Sequence, residues 1–193
     1  FGEVAITANA DAANIEGFVY TAMNSVSQAC LTFTGQNYGA RLRKNMDVSL
    51  LDSLLAVTVI GLVLGFGAYL LGAYVMRIYT TTPEVIEIGV RRLSVTCTTY
   101  CLCGIMDVLV GNLRGRGYSF LPMCVSIAGV CGGRIVYIFT YFAVNRTLLV
   151  LYLSYPISWF ATVLAHTVSL FIVRKKEKRA QWKDMPARQT NLA

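Results

Sequence analysis

Charge is scarce in this sequence, and acidic charge scarcer than basic. Only 14% of the 193 residues are Asp, Glu, Lys or Arg, 10 of them acidic and 17 basic. There is one histidine, His166, and there are 4 prolines. With 55% hydrophobic residues and mean hydropathy +0.56, this is not an ordinary soluble domain. Six cysteines contain no CxxC pair, and with a single histidine no spacing typical of a zinc site arises. Cys30, Cys97, Cys101, Cys103, Cys124 and Cys131 all fall in apolar segments, where cysteine serves as a small hydrophobe. No nucleophile stands beside a candidate base, so an enzyme is the least supported class, and neither a cofactor nor a resident metal is expected. No segment reads as a cleavable signal peptide, and the opening at Phe1 instead of Met leads us to expect a fragment.

Long apolar runs are abundant. Gly17 to Ala40, Ser53 to Met76 and Thr147 to Val173 carry no formal charge, and each meets the roughly 20 residues that a bilayer-crossing helix needs. Two further runs hold one charge apiece: Leu93 to Leu113 with Asp107, and Tyr118 to Asn145 with Arg134. The expected fold is therefore all-α and polytopic, with five membrane helices over about residues 5–34, 50–76, 84–113, 120–142 and 147–173, and a basic, solvated tail over 175–193. The net charge of +7 fits topology better than nucleic acid, which is not an expected partner. Arg41, Arg43, Lys44, Arg114, Arg116 and the basic residues from Arg174 to Arg188 all fall on one side of an alternating five-helix path. The positive-inside rule puts that side in the cytoplasm, with the amino terminus outside a plasma membrane, and a basic tail there attracts anionic lipid.

The chain's main tension lies at Asp107. Seven residues separate it from Arg114, about 10 Å at helical rise, so if Arg114 marks a membrane surface the carboxylate is inside the hydrocarbon layer. A charge at that depth costs at least about 2.5 kcal/mol and requires a polar cavity, a partner or a proton. Cys103, Gly104 and Gly111 share its helix face and leave room for water or a cation. Two roles stay open: a coupling site for an ion, or a structural bridge to Arg134 or Arg114. In the first helix, Asn14, Gly17, Thr21, Asn24, Gln28, Thr32 and Gly35 recur at intervals of three and four and form a polar stripe. In a membrane that stripe faces a solute cavity or hydrogen-bonds neighbouring helices.

Other features carry milder expectations. Glu16 is placed at the outer interface, and Glu87 is spaced to pair with Arg91 at i, i+4. Glycines and Asn37 over 34–44 are expected to end the first helix. Thr82 and Pro83 read as the cap and first residue of a new helix. Gly129 and Gly133 form a GxxxG face beside Arg134. His166 is read as a packing residue in preference to a proton relay.

Several pieces occur in an ordered set: Asn-Ile-Glu-Gly at 14 to 17, Gln28, Gly-Gln-Asn-Tyr-Gly-Ala at 35 to 40, Thr-Pro-Glu-Val-Ile at 82 to 86, and Gly-x-Leu-Arg-Gly-x-Gly at 111 to 117. Arg-Ile at 134 and 135 and Leu-Tyr-Leu-Ser-Tyr-Pro-Ile-Ser-Trp at 151 to 159 extend it. From Ala5 to about Lys176 the chain resembles the multidrug and toxic compound extrusion (MATE) family of cation-coupled efflux transporters, in the later part of the carboxy-terminal lobe. The resemblance implies helices eight to twelve of a twelve-helix, two-lobed exporter that exchanges protons or sodium for small organic, often cationic, compounds. It also implies that helix seven and the amino-terminal lobe are absent here, so this fragment would not transport alone. In members whose tenth helix supplies a cation-binding carboxylate, the pattern puts it about one turn before Asp107, near Cys103. That position is not acidic here.

The resulting expectation is alternating-access antiport, with Asp107 as the cation or proton coupling candidate, Asn14, Thr21, Asn24 and Gln28 lining the substrate cavity, and Arg134 as a possible buried-charge partner. The rival readings are a lipid-linked oligosaccharide flippase of the same superfamily and a non-transporting membrane scaffold.

Overall fold

The structure, a computed structural model, describes residues 2–184. Among these every regular element is helical: α1 (Gly2–Gly39), α2 (Arg43–Leu70), α3 (Gly72–Tyr79), α4 (Pro83–Thr96), α5 (Tyr100–Gly115), α6 (Phe120–Ser126), α7 (Gly133–Tyr137) and α8 (Leu148–Asp184). A 3-10 turn at Cys97–Thr99 fuses α4 and α5 into one rod, and π-helical turns at Ile127–Gly132 and Ile138–Phe142 make α6 and α7 parts of another. α2 and α3 are parted only by Leu71, which keeps near-helical angles (φ −89°, ψ 0°), so they form one rod; the path is thus five rods, and the chain is an all-α, multi-pass membrane protein. Four helical stretches are long and apolar enough to cross a membrane: Arg43–Leu70, Pro83–Gly115, Phe120–Phe142 and Leu148–Arg179. The fifth expected span, α1, is not among them. Even its uncharged run from Gly17 is diluted by Asn24, Gln28 and several Ser and Thr residues, which lower the apolar content below that of the other rods.

Helix limits differ from expectation by a few residues. α1 ends at Gly39, inside the glycine-rich segment expected to end it but beyond the expected limit near 34, and Asn37 donates its side-chain amide to the Phe33 carbonyl at 2.8 Å. The chain turns at Arg41 instead, with φ 58°. α2 then begins at Arg43, before the expected start near 50, so Asp47 lies within it. Pro83 opens α4 as expected, but Thr82 makes no side-chain cap bond; its own N–H donates to Thr80 Oγ1 at 3.2 Å. The 3-10 turn contains threonines whose hydroxyls bond back to α4, Thr98 to Ser94 O and Thr99 to Val95 O, each at 2.7 Å. Such back-bonding bends helices. α8 continues past Arg174 to Asp184, so the first part of the expected tail is helical, and residues 185–193 lie outside the described residues.

The third rod, α4 with α5, is the centre of the bundle and packs against α1, α2 and α8. Side-chain pairs fix the directions. Ser27 bonds the Asp107 carbonyl at 2.7 Å, and Asn112 bonds Thr34 at 2.9 Å, so α1 and the third rod run parallel. Arg92 sits 5.6 Å from the Tyr155 ring and Tyr100 packs edge-on to Trp159, so α8 runs parallel to the third rod too. α1 buries Ala5, Ala8, Ala12, Ile15, Val19, Met23, Ser27, Cys30 and Thr34, a stripe at helical period. Its closest approach to α5 is at glycines: a Cβ on Gly111 would lie 2.7 Å from the Ser27 carbonyl oxygen, and one on Gly115 would lie 2.7 Å from Thr34 Cβ. Of the expected GxxxG pair only Gly129 is at a contact, against Thr162 of α8; nothing lies within 4 Å of a Cβ on Gly133.

Two ionic clusters brace opposite ends. Glu16, expected at an interface, is only 6% exposed. It accepts from Arg92 Nε at 2.9 Å and Nη2 at 2.8 Å and from the Thr96 hydroxyl at 2.7 Å, while Asn9 Oδ1 takes Arg92 Nη1 at 3.1 Å. Arg92 is thus a buried arginine paired within the bundle, and Glu87 forms no ion pair with Arg91 among the described residues. At the other end Arg116, 2% exposed, pairs with Asp47 at 2.6 Å and Glu177 at 2.8 Å. Arg174 also pairs with Asp47, so α2, α5 and α8 meet in one network.

Candidate functional site

α1 and the fourth rod flank α5, and between them opens a cleft of about 450 Å³. Its polar wall comes from Tyr20, Asn24, Ser27 and Gln28 of α1 and from Asp107 and Arg114 of α5; Val130 and Cys131 face them from the fourth rod. The helical period produces this wall. Tyr20, Asn24, Ser27 and Gln28 stand at i, i+4, i+7 and i+8, one side of α1, while Asp107, Val110 and Arg114 stand at i, i+3 and i+7 on α5.

Asp107 is held in place through its backbone. Ser27 Oγ donates to its carbonyl oxygen, locking the α1 and α5 register at the carboxylate. The Tyr20 phenol lies within interaction range of the carboxyl. The second carboxyl oxygen, Oδ2, is buried and has no hydrogen-bond partner among the described residues. A buried carboxyl oxygen of that kind is costly to leave unpaired and readily takes a proton, a water or a cation. Asn24 and Gln28 are coupled along the same wall, Gln28 Nε2 to Asn24 Oδ1 at 3.5 Å.

The predicted set divides. Asn24 and Gln28 share the cleft with Asp107. Asn14 and Thr21 line a separate shallow depression with Gly17, Phe18 and Tyr79, about 340 Å³ in volume. Thr21 spends its hydroxyl on the Gly17 carbonyl at 2.8 Å. Arg134 is not the partner of Asp107. It stacks 4.2 Å from the centre of the Tyr155 ring and 6.0 Å from that of Trp159, and its Nε donates to Ser158 at 3.1 Å. Aromatic faces on α8 thus solvate a guanidinium that was expected to need a carboxylate. Arg114 shares the cleft but forms no ion pair with Asp107. His166 is fully buried with Nε2 3.0 Å from Ser126 Oγ, a packing position between α8 and α6.

Sequence reasoning missed Tyr20 and Ser27. Both lie within one or two turns of Asn24 on the cleft side, and their spacing to Asn24 was the available signal.

The MatE family profile matches residues 1–140, from α1 to just beyond α7. The chain belongs to the MatE family. The match spans every residue of the cleft. MatE proteins are membrane transporters, not a family of enzymes, and this chain is a membrane transporter of that superfamily. No curated protein matches the chain.

Proposed function

We propose that the protein works in cation-coupled antiport, exporting small organic, often cationic, compounds by alternating access, with Asp107 as the group that exchanges a proton or sodium ion for substrate. The observation that carries this reading is the Asp107 carboxyl at the cleft between α1 and the fourth rod, one oxygen buried and unpaired, beside Tyr20, Asn24 and Gln28. A carboxylate so placed binds a cation or proton more readily than it tolerates standing free. Asn24, Gln28 and the Tyr20 phenol supply neutral polar groups for the substrate, while Asn14 and Thr21 offer a second, separate contact in the depression nearer the amino terminus of α1.

In this proposal the Arg116 end is cytoplasmic, the amino terminus lies outside a plasma membrane, and the polar side of α1 faces an amino-terminal lobe with which the five rods move. A rocking two-lobe transporter needs such a shared polar seam at its centre. The proposal is tested by dye efflux from cells expressing the protein together with that lobe, comparing the native sequence with Asp107→Asn. Efflux at the vector level with expression unchanged supports it; efflux that survives the substitution removes Asp107 from coupling. Collapsing the proton gradient and varying sodium separately then identifies the ion.

A further inference from the structure

The network at the Arg116 end leaves cations over. Between the start of α2 and the far part of α8 lies a second cleft of about 440 Å³, lined by Arg43, Asp47, Arg116, Phe171, Arg174, Lys175, Glu177 and Lys178. Its two carboxylates are already engaged, Asp47 by Arg116 and Arg174 and Glu177 by Arg116 through Oε2, while Glu177 Oε1 is buried without a hydrogen-bond partner among the described residues. Arg43 donates only to the Glu177 backbone carbonyl at 2.7 Å, and Lys175 and Lys178 make no ion pair among the described residues. Three cations therefore converge on one concave site without a counter-charge. Phe171 at its edge is 64% exposed, and Ile172 and Val168 continue an exposed apolar face along α8. A ligand for this place must join compact negative charge to hydrocarbon, which is the chemistry of a phospholipid in a basic pocket between membrane helices.

We propose that this cleft is a binding site for an anionic phospholipid, its phosphodiester held among Arg43, Lys175 and Lys178 and its acyl chains laid on the Phe171 face of α8. Arg116, held by both carboxylates, is a structural strut and does not bind the lipid. The lipid bridges α2 and α8, which otherwise meet at this end through long charged side chains, and it ties the bundle to the membrane surface.

Charge-matched variants of the full chain, purified in detergent, test the site. Lys175→Gln with Lys178→Gln removes two cations that line the cleft. Lys176→Gln with Arg179→Gln removes two from the same turns of α8 that do not line it. Retention of radiolabelled phosphatidylglycerol is measured for each, with phosphatidylcholine and inorganic phosphate as competitors. The first pair lowers phosphatidylglycerol affinity about 10-fold, and the second changes it less than about twofold. Equal losses in both pairs overturn the site in favour of diffuse attraction. Equal competition by phosphatidylcholine, or displacement by inorganic phosphate alone, overturns the assignment of the ligand. Both pairs alter exposed side chains, and an unchanged circular dichroism spectrum shows that each protein is folded.

Discussion

Breaking the Glu16–Arg92 pair one side at a time gives an asymmetric loss of stability. The pair is bidentate and both residues are buried, so removing either member strands the other. Truncating one partner of a buried ion pair costs about 3 to 5 kcal/mol. In Glu16→Leu the guanidinium keeps Asn9 and the Tyr155 ring, which places the loss near about 3 kcal/mol. In Arg92→Leu the carboxylate keeps only the Thr96 hydroxyl, which places it near about 5 kcal/mol. For a chain of this size each kcal/mol moves the unfolding midpoint by about 2 to 4 °C, so the two variants fall by roughly 6 to 12 and 10 to 20 °C. The double variant recovers most of this, because apolar replacement of a whole buried pair is close to neutral. Thermal unfolding in detergent, followed with a thiol-reactive fluorophore, suits the assay once Cys101, Cys124 and Cys131, which are half-buried or exposed, are replaced by Ser: Cys30 and Cys97 are 0% and 1% exposed and react only on unfolding. A double variant that loses as much as the two singles combined would refute the buried-pair argument.

Gly115→Ala costs about 1 to 3 kcal/mol in the same assay, since its methyl group meets Thr34 and the Leu31 carbonyl oxygen at 2.8 Å. Gly133→Ala, with open space at that position, is neutral or gains up to about 1 kcal/mol of helix propensity. Tyr155→Leu loses about 1 to 2 kcal/mol by removing the ring between Arg92 and Arg134, whereas Tyr155→Phe keeps the ring and most of the stability; equal effects would show that the hydroxyl, not the ring face, matters. Cys131 is exposed at the Asp107 cleft, so in a Cys124→Ser background it is labelled by a maleimide and protected by a transported compound. Unaltered labelling under saturating substrate would place the substrate path elsewhere.

The rods, their order and the isolated carboxylate of α5 were legible because each is a one-dimensional property: run length, sign of charge and helical period. Boundaries were less so. The first helix ends at Gly39, within the segment expected to break it but past the limit expected near 34, and an apparently solvated tail continued α8 to Asp184.

What the amino-acid order determined by itself was the set of apolar rods, their alternation and the presence of Asp107 at a depth where it needs a partner or an ion. Which charges meet was decided by tertiary structure alone. Arg134 and Arg92 are both membrane-segment arginines, yet one lies on aromatic rings and the other grips a carboxylate 76 residues away. Electrostatic pairing falls off over a few ångströms, so it depends on the rotation and neighbours of each helix, which spacing along a single helix does not contain.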